Sequence, residues 1–130
     1  MRVLLDTHVW LWLQASPQRL MPEALDVAQN PANELLLSAA SAWEIAIKHA
    51  LGRLALPDQP EDYVPDRMAS SGVVGLAVDH RHALRVATLP ALHNDPFDRL
   101  LVAQAQVESL VIMTADRGVQ QYDVSVIAAD

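Results

Sequence analysis

Val3-Leu4-Leu5-Asp6-Thr7-His8-Val9-Trp10-Leu11-Trp12-Leu13 passes from a short unbroken apolar run, through one acid, into a helix-compatible segment. Three consecutive large aliphatic residues without alternation read as a strand buried on both faces, the kind found in parallel sheets covered by helices. The same reading recurs along the chain. Leu35-Leu36-Leu37 leads into Ser38 and a helix carrying Trp43, Ile47 and Leu51, and Val73 to Val78 ends at Asp79 before a helix through Leu84 and Val86. Leu110-Val111-Ile112-Met113 ends at Thr114 and Asp116, and Val124-Ser125-Val126-Ile127 closes the series. Strands alternating with helices predict an α/β fold built on a parallel sheet. Pro22 and Pro96 suit first helical turns, Gly52 suits a helix end, and Pro57 to Pro65 reads as a connector followed by a short helix.

The length of 130 residues predicts one domain over residues 1–130. With 52 % hydrophobic and 19 % charged residues, the chain has the composition of a protein that buries a substantial core. There is no cysteine, which removes disulfides, thiolate metal sites and thiol nucleophiles from consideration and favours a reducing, cytoplasmic setting. Asp6 comes too early for a signal-peptide core, and no apolar run approaches the roughly 18 residues of a membrane span, so no membrane association is expected. A net charge of −7 with only nine Lys and Arg argues against a surface built for non-specific phosphate binding. It also agrees with a basic partner, although moderate net charge commonly serves solubility alone.

In an open parallel sheet, function gathers beyond the carboxyl ends of the strands, near the point where strand order reverses. Asp6 directly follows the first strand, Glu44 lies in the first turns after the second, Asp98 opens the helix before the fourth, and Asp116 follows the fourth. Each acid also has an ordinary explanation, because carboxylates cap helices and favour helix N-termini. Asp6 fits as a cap for the helix from Thr7 to Leu13, and Asp116 fits as a cap for a turn through Gln120. Glu44 fits a capping box with Ser41 and a helical ion pair with Lys48. In Asp95-Pro96-Phe97-Asp98, Asp95 is the natural cap, with Pro96 first and Asp98 third in the helix. Asp79, at the end of another strand, reads as a cap as well.

Capping does not account for the direction in which two of these acids face. Asp98 shares a helical stripe with Leu101, Val102 and Ala105, and Glu44 shares one with Ile47 and Leu51, which turns both toward the core. Two carboxylates about 4 Å apart at an effective dielectric near 20 repel by roughly 4 kcal/mol, so gathering four calls for a neutralising cation. Oxygen donors without cysteine suit Mg²⁺ or Mn²⁺ better than zinc. His8, His80, His82 and His93 show no metal-binding spacing that outranks the carboxylates, and surface ion pairing is the commoner fate of Arg99 and Arg117. The Trp10 to Leu13 run is apolar all round, which predicts core on one side and an interface on the other.

Four blocks in this order resemble the PIN domain, and within it the VapC-type toxins of bacterial toxin–antitoxin pairs. They are Leu4-Leu5-Asp6-Thr7-His8; Ser38 through Trp43-Glu44-Ile45 and Lys48; His93-Asn94-Asp95-Pro96-Phe97-Asp98-Arg99 continuing to Ala105; and Thr114-Ala115-Asp116. The resemblance covers essentially the whole chain. It implies a three-layer α/β/α sandwich with strand order 3-2-1-4-5, and it maps the family's acidic residues onto Asp6, Glu44, Asp98 and Asp116 and its hydroxyl onto Thr114. It further implies Mg²⁺-dependent hydrolysis of RNA phosphodiesters, inhibition by an antitoxin with a basic tail, and a homodimer. In that reading Asp6, Asp98 and Asp116 are the principal ligands, Glu44 ligates or accepts a proton from the attacking water, and Thr114 holds that water or a ligand.

Two neighbouring readings share the fold: a catalytically idle PIN-like binding module, and a PIN ribonuclease of RNA processing that has no antitoxin. A phosphate-accepting receiver domain fits poorly. It would need paired acids after the first strand and a lysine after the last, and Lys48 is the chain's single lysine.

Overall fold

The computed structural model describes residues 1–130. Five strands form one parallel sheet: β1 (Arg2–Leu5), β2 (Glu34–Ser38), β3 (Val74–Leu76), β4 (Val111–Thr114) and β5 (Val126–Ala128), in the order β3-β2-β1-β4-β5. Six α-helices connect them: α1 (Thr7–Ala15), α2 (Pro22–Gln29), α3 (Ala39–Ala50), α4 (Pro60–Ser71), α5 (His80–Arg85) and α6 (Pro96–Glu108). From β1 the chain moves outward to β2 and β3, then returns across the sheet to place β4 on the other side of β1. The strand order therefore reverses between β1 and β4, as the sequence reading anticipates.

Alternation along β1 divides the core. Val3 and Leu5 face one layer with Val9 and Trp10 of α1, Ala24 of α2, Ile45 of α3 and Val64 of α4. Leu4 faces the opposite layer with Leu36, Ile112 and the α6 residues Leu101, Val102 and Ala105, and α5 packs on α6. Both faces of β1 are closed to water, which is why its apolar run does not alternate with polar residues. Trp10 supplies the largest fully buried side chain and meets Tyr63 with ring centroids 6.2 Å apart.

Several boundaries differ from the sequence reading. The expected connector up to Pro65 is already helical: Pro60 occupies the first turn of α4, and Pro65 lies inside that helix. Proline in the first turn is preorganised, whereas the ring at position 65 removes an amide donor, so sequence rules place the helix start too late. Strand β3 is only three residues long, because Ala77 and Val78 diverge toward the Asp79 cap, and β5 begins two residues later than expected. Helix α3 begins at Ala39 with Ser38 as its cap, so Ser41 is internal and makes no capping box with Glu44. Leu51 is exposed, and Trp43 is 62 % exposed, so the apolar row of α3 does not continue into the core.

Leu4 is fully buried at the centre of the sheet, whereas Leu84 on α5 is 73 % exposed. Leu4→Ala is expected to cost about 2–5 kcal/mol, with transfer and cavity contributions combined. Leu84→Ala should stay within about 0.5 kcal/mol of the parent. Urea unfolding midpoints read by circular dichroism check both values, and equal effects would contradict the layer assignment.

Candidate metal-binding active site

Asp6 lies one residue beyond β1, and its amide donates to the Met113 carbonyl at 3.0 Å, extending the β1–β4 pairing past the end of the strand. Its carboxylate is only 5 % exposed and is held at both oxygens. Oδ1 accepts the His8 amide at 2.9 Å, as a helix cap should, and Oδ2 accepts the Thr114 hydroxyl at 2.7 Å. Thr114 Oγ1 in turn accepts the Asp116 amide at 2.9 Å. One hydroxyl thus ties the acid after β1 to the acid after β4.

Asp6, Glu44, Asp98 and Asp116 line a single recess of about 250 Å³ together with His8, Trp12, Asp95 and Ala115. All four carboxylates from the sequence reading are brought to this recess, and Thr114 stands behind them, bonded to Asp6. Glu44 reaches it from α3, 4 % exposed, with Oε2 2.6 Å from Lys48 Nζ. Asp98 reaches it from the third position of α6, and Asp95 caps that helix through the amides of Phe97 and Asp98. Asp116 Oδ1 accepts from Gly118 N at 2.7 Å and Val119 N at 3.4 Å. Capping and convergence therefore coexist in the same side chains.

The electrostatics follow from this crowding. Burial raises Asp6 above the ordinary carboxylate range, opposed by the hydrogen bonds from Thr114 and His8. Burial, reinforced by the charges of Asp6, Asp95 and Asp116, pushes Asp98 up to about 8. Asp116 is also partly desolvated, but His93 and the Gly118 and Val119 amides hold it below its usual value. The hydrogen bond to Glu44 raises Lys48, despite some desolvation. A group of carboxylates that retains a proton near neutrality is short of positive charge, and its donors are the hard oxygens preferred by Mg²⁺ and Mn²⁺. By the chemistry of its donors, the recess fits a divalent cation.

The sequence reading ranks His93 below the carboxylates, but the structure seats it among them. Its Nε2 lies 3.0 Å from Asp116 Oδ2 and 3.2 Å from Asp98 Oδ2, and its Nδ1 accepts the Asp95 amide at 3.0 Å. No histidine spacing announces this role. The available signal was proximity, since His93 stands two residues before the α6 cap in the same block as Asp98. The apolar run from Trp10 to Leu13 predicts core and an interface, but Trp12 lines the recess, with the Arg19 guanidinium 4.5 Å from its ring centroid.

Other candidates lie elsewhere. Asp79 caps α5 through the amides of Arg81 and His82, and buried His82 bonds Glu108 at 2.8 Å, with Arg81 bridging Asp79 and Glu108. These contacts pin α5 to α6, and Arg81 already supplies the positive charge. Arg99 donates to the Pro90 and Val86 carbonyls and to the Tyr122 hydroxyl, a structural role, while Arg117 is exposed. A larger hollow of about 470 Å³ involves Arg85, Gln106, Asp123 and Ser125 near the amino ends of β4 and β5, opposite the strand ends where the carboxylates meet.

Comparison with known proteins agrees with this geometry. The family model of the PIN domain matches residues 3–125. Ribonuclease VapC22 of Mycobacterium tuberculosis is 31 % identical over 120 residues, covering 92 % of this chain and 91 % of that protein. Ribonuclease VapC16 of the same organism is 52 % identical over 60 residues, 46 % of this chain, and the match spans 43 % of VapC16. VapBC2 from Rickettsia felis, solved bound to a promoter DNA fragment, superposes with a TM-score of 0.73 at 13 % identity over 100 % of both chains, a likeness of fold. The β3-β2-β1-β4-β5 sheet, the acids at its carboxyl edge and the match over residues 3–125 together establish that the chain belongs to the PIN-domain family.

Proposed function

We propose that this chain is a metal-dependent endoribonuclease that hydrolyses RNA phosphodiester bonds, and that it is the toxin of a toxin–antitoxin pair. The observation that carries the reading is the convergence of Asp6, Glu44, Asp98 and Asp116, four acids from distant parts of the chain, on one recess at the reversal of strand order. The likeness to proteins named ribonucleases supports RNA as the substrate. In this reading residues 1–130 act as one nuclease domain, working in the cytoplasm as a homodimer.

Asp6, Asp98 and Asp116 would hold one or two Mg²⁺ ions, with Mn²⁺ as a substitute, and Glu44 completes the set. When bound, the metal polarises the scissile phosphate and makes a water acidic enough to attack it. The protein's part is to keep its donors ordered and charged. Thr114 and the His8 amide fix both oxygens of Asp6, Gly118 and Val119 fix Asp116, and Lys48 fixes the Glu44 carboxylate, which stands ready to accept a proton from the attacking water. Attack by water breaks the P–O bond without a covalent enzyme intermediate. The acidic recess is also complementary to a basic antitoxin segment, whose cationic groups would compete for the same carboxylates.

Purified protein should cleave single-stranded RNA in Mg²⁺ and lose that activity in EDTA. Asp6→Asn and Asp98→Asn are each expected to slow cleavage by on the order of 100-fold or more. Cleavage of labelled RNA followed on gels checks this, and a silent parent protein would favour the idle binding module instead.

The elevated Asp98 carboxyl predicts a pH effect in metal-free protein. Between its ordinary value of about 3.9 and the folded value of about 8, the native state binds more protons than the unfolded state. Stability therefore falls as pH rises through that window. In EDTA near pH 8.5, Asp98→Asn should be more stable than the parent by on the order of 1 kcal/mol or more, and the gap should narrow toward pH 4. Thermal unfolding across pH checks the sign, and added Mg²⁺ should stabilise the parent more than the variant.

A further inference from the structure

His93 meets the carboxylates in a way that separates three roles open to an imidazole beside a metal site. The Asp95 amide donates to Nδ1 at 3.0 Å, so Nδ1 carries a lone pair and no proton. In the neutral ring the proton then resides on Nε2, which points at Asp116 Oδ2 at 3.0 Å and faces Asp98 Oδ2 at 3.2 Å. A protonated Nε2 has no lone pair for a metal. The same neutral tautomer is no acid for the leaving group, because giving up the Nε2 proton would create an imidazolate. What remains is donation of a fixed N–H to Asp116, with the Asp98 carboxylate close beside the same nitrogen.

The surroundings are shaped to hold the ring there. Asp95, which donates to Nδ1, is itself anchored as the cap of α6 through Phe97 N at 2.8 Å and Asp98 N at 3.2 Å. On the other side, a Cβ built on Gly118 would lie 2.5 Å from His93 Cδ2, so any side chain at that position would require the ring to move. Gly118 has helical dihedrals, φ −64° and ψ −39°, so its backbone conformation does not demand glycine. The close approach of the imidazole does.

Resting on the metal-dependent reading above, we infer that His93 is a positioning residue. Its imidazole, locked by the Asp95 amide and seated against Gly118, donates Nε2–H to Asp116 beyond β4 and so holds that acid beside Asp98 of α6, in register for a divalent cation. The two acids belong to different elements, and the ring is the side chain that bridges them. Partners of this kind, which orient ligands without touching the metal, typically contribute 10–100-fold to metal affinity, an order-of-magnitude range of roughly that width.

The test is Mn²⁺ binding to the full chain, measured by the loss of the free-ion electron paramagnetic resonance signal. His93→Ala is expected to weaken binding by about 10–100-fold. His93→Gln, which places an amide N–H near the position of Nε2, should recover to within about tenfold of the parent. Circular dichroism in EDTA establishes that both variants are folded. Long-range ¹H–¹⁵N spectra should show His93 protonated on Nε2 alone, before and after Mg²⁺ is added. Unchanged or tighter Mn²⁺ binding in His93→Ala would overturn the inference. So would loss of the Nε2 proton on adding Mg²⁺, which would make His93 a ligand, or a ring protonated on both nitrogens, which would make it a counter-cation. A parent chain that binds no Mn²⁺ would overturn the metal-dependent reading and this inference together, whereas a parent that binds Mn²⁺ and cleaves RNA beside unaffected His93 variants would overturn this inference alone.

Discussion

The pairing of β1 with β4 is the constraint on which the rest of the molecule depends. These strands are separated by more than a hundred residues, yet they lie side by side with Leu4 against Ile112 and Leu5 against Met113. At their carboxyl ends the ladder continues into the Asp6 amide bond and then into the Thr114–Asp6 hydrogen bond. The latter is buried and charge-assisted, and deleting the hydroxyl would leave part of a desolvated carboxylate without a partner. It couples the registration of the core to the geometry of the recess. A register slip of one residue would turn Leu4 out of its layer and separate the two acids that the hydroxyl joins.

The acids reconcile two demands often treated as alternatives. Asp6 caps α1, Asp95 caps α6, and Asp116 closes a turn, so each meets backbone donors that would otherwise lack partners. The same bonds fix the side-chain torsions and leave the remaining lone pairs facing the recess. Local stability and the collection of negative charge thus use the same atoms. The strain appears in Asp98, whose carboxyl is pushed up to about 8 by burial and by the charges of Asp6, Asp95 and Asp116. A cation entering the recess would relieve the repulsion stored in this way.

Much of this architecture was legible in the residues. Unalternating aliphatic runs mark β1, β2 and β4, which are covered on both faces, whereas the run at β3 lies on a largely exposed edge strand; acids following these runs mark the carboxyl edge of the sheet. The strand order and the place of Thr114 came from resemblance, since no local pattern tells which strands are neighbours. Legibility failed where tertiary packing overrides local preference. Pro65 reads as a breaker but is tolerated within α4, and Leu51 reads as part of a core-facing row with Glu44 and Ile47 although it lies exposed at the end of α3. Trp43 meets Phe97 edge-to-face at 5.4 Å, beside two of the pocket acids in sequence. His93 ranks low in the sequence for a different reason: its partners, the Asp95 amide and Asp116, define it only after the loop before α6 has folded against the turn after β4.

The separation of β1 from β4 also sets a timetable. A chain synthesised from its amino terminus makes Asp6 first, but Asp6 has no Thr114 to meet until the strand carrying that threonine has left the ribosome. A nascent polypeptide with α1 to α5 already formed would carry scattered carboxylates and no cutting centre.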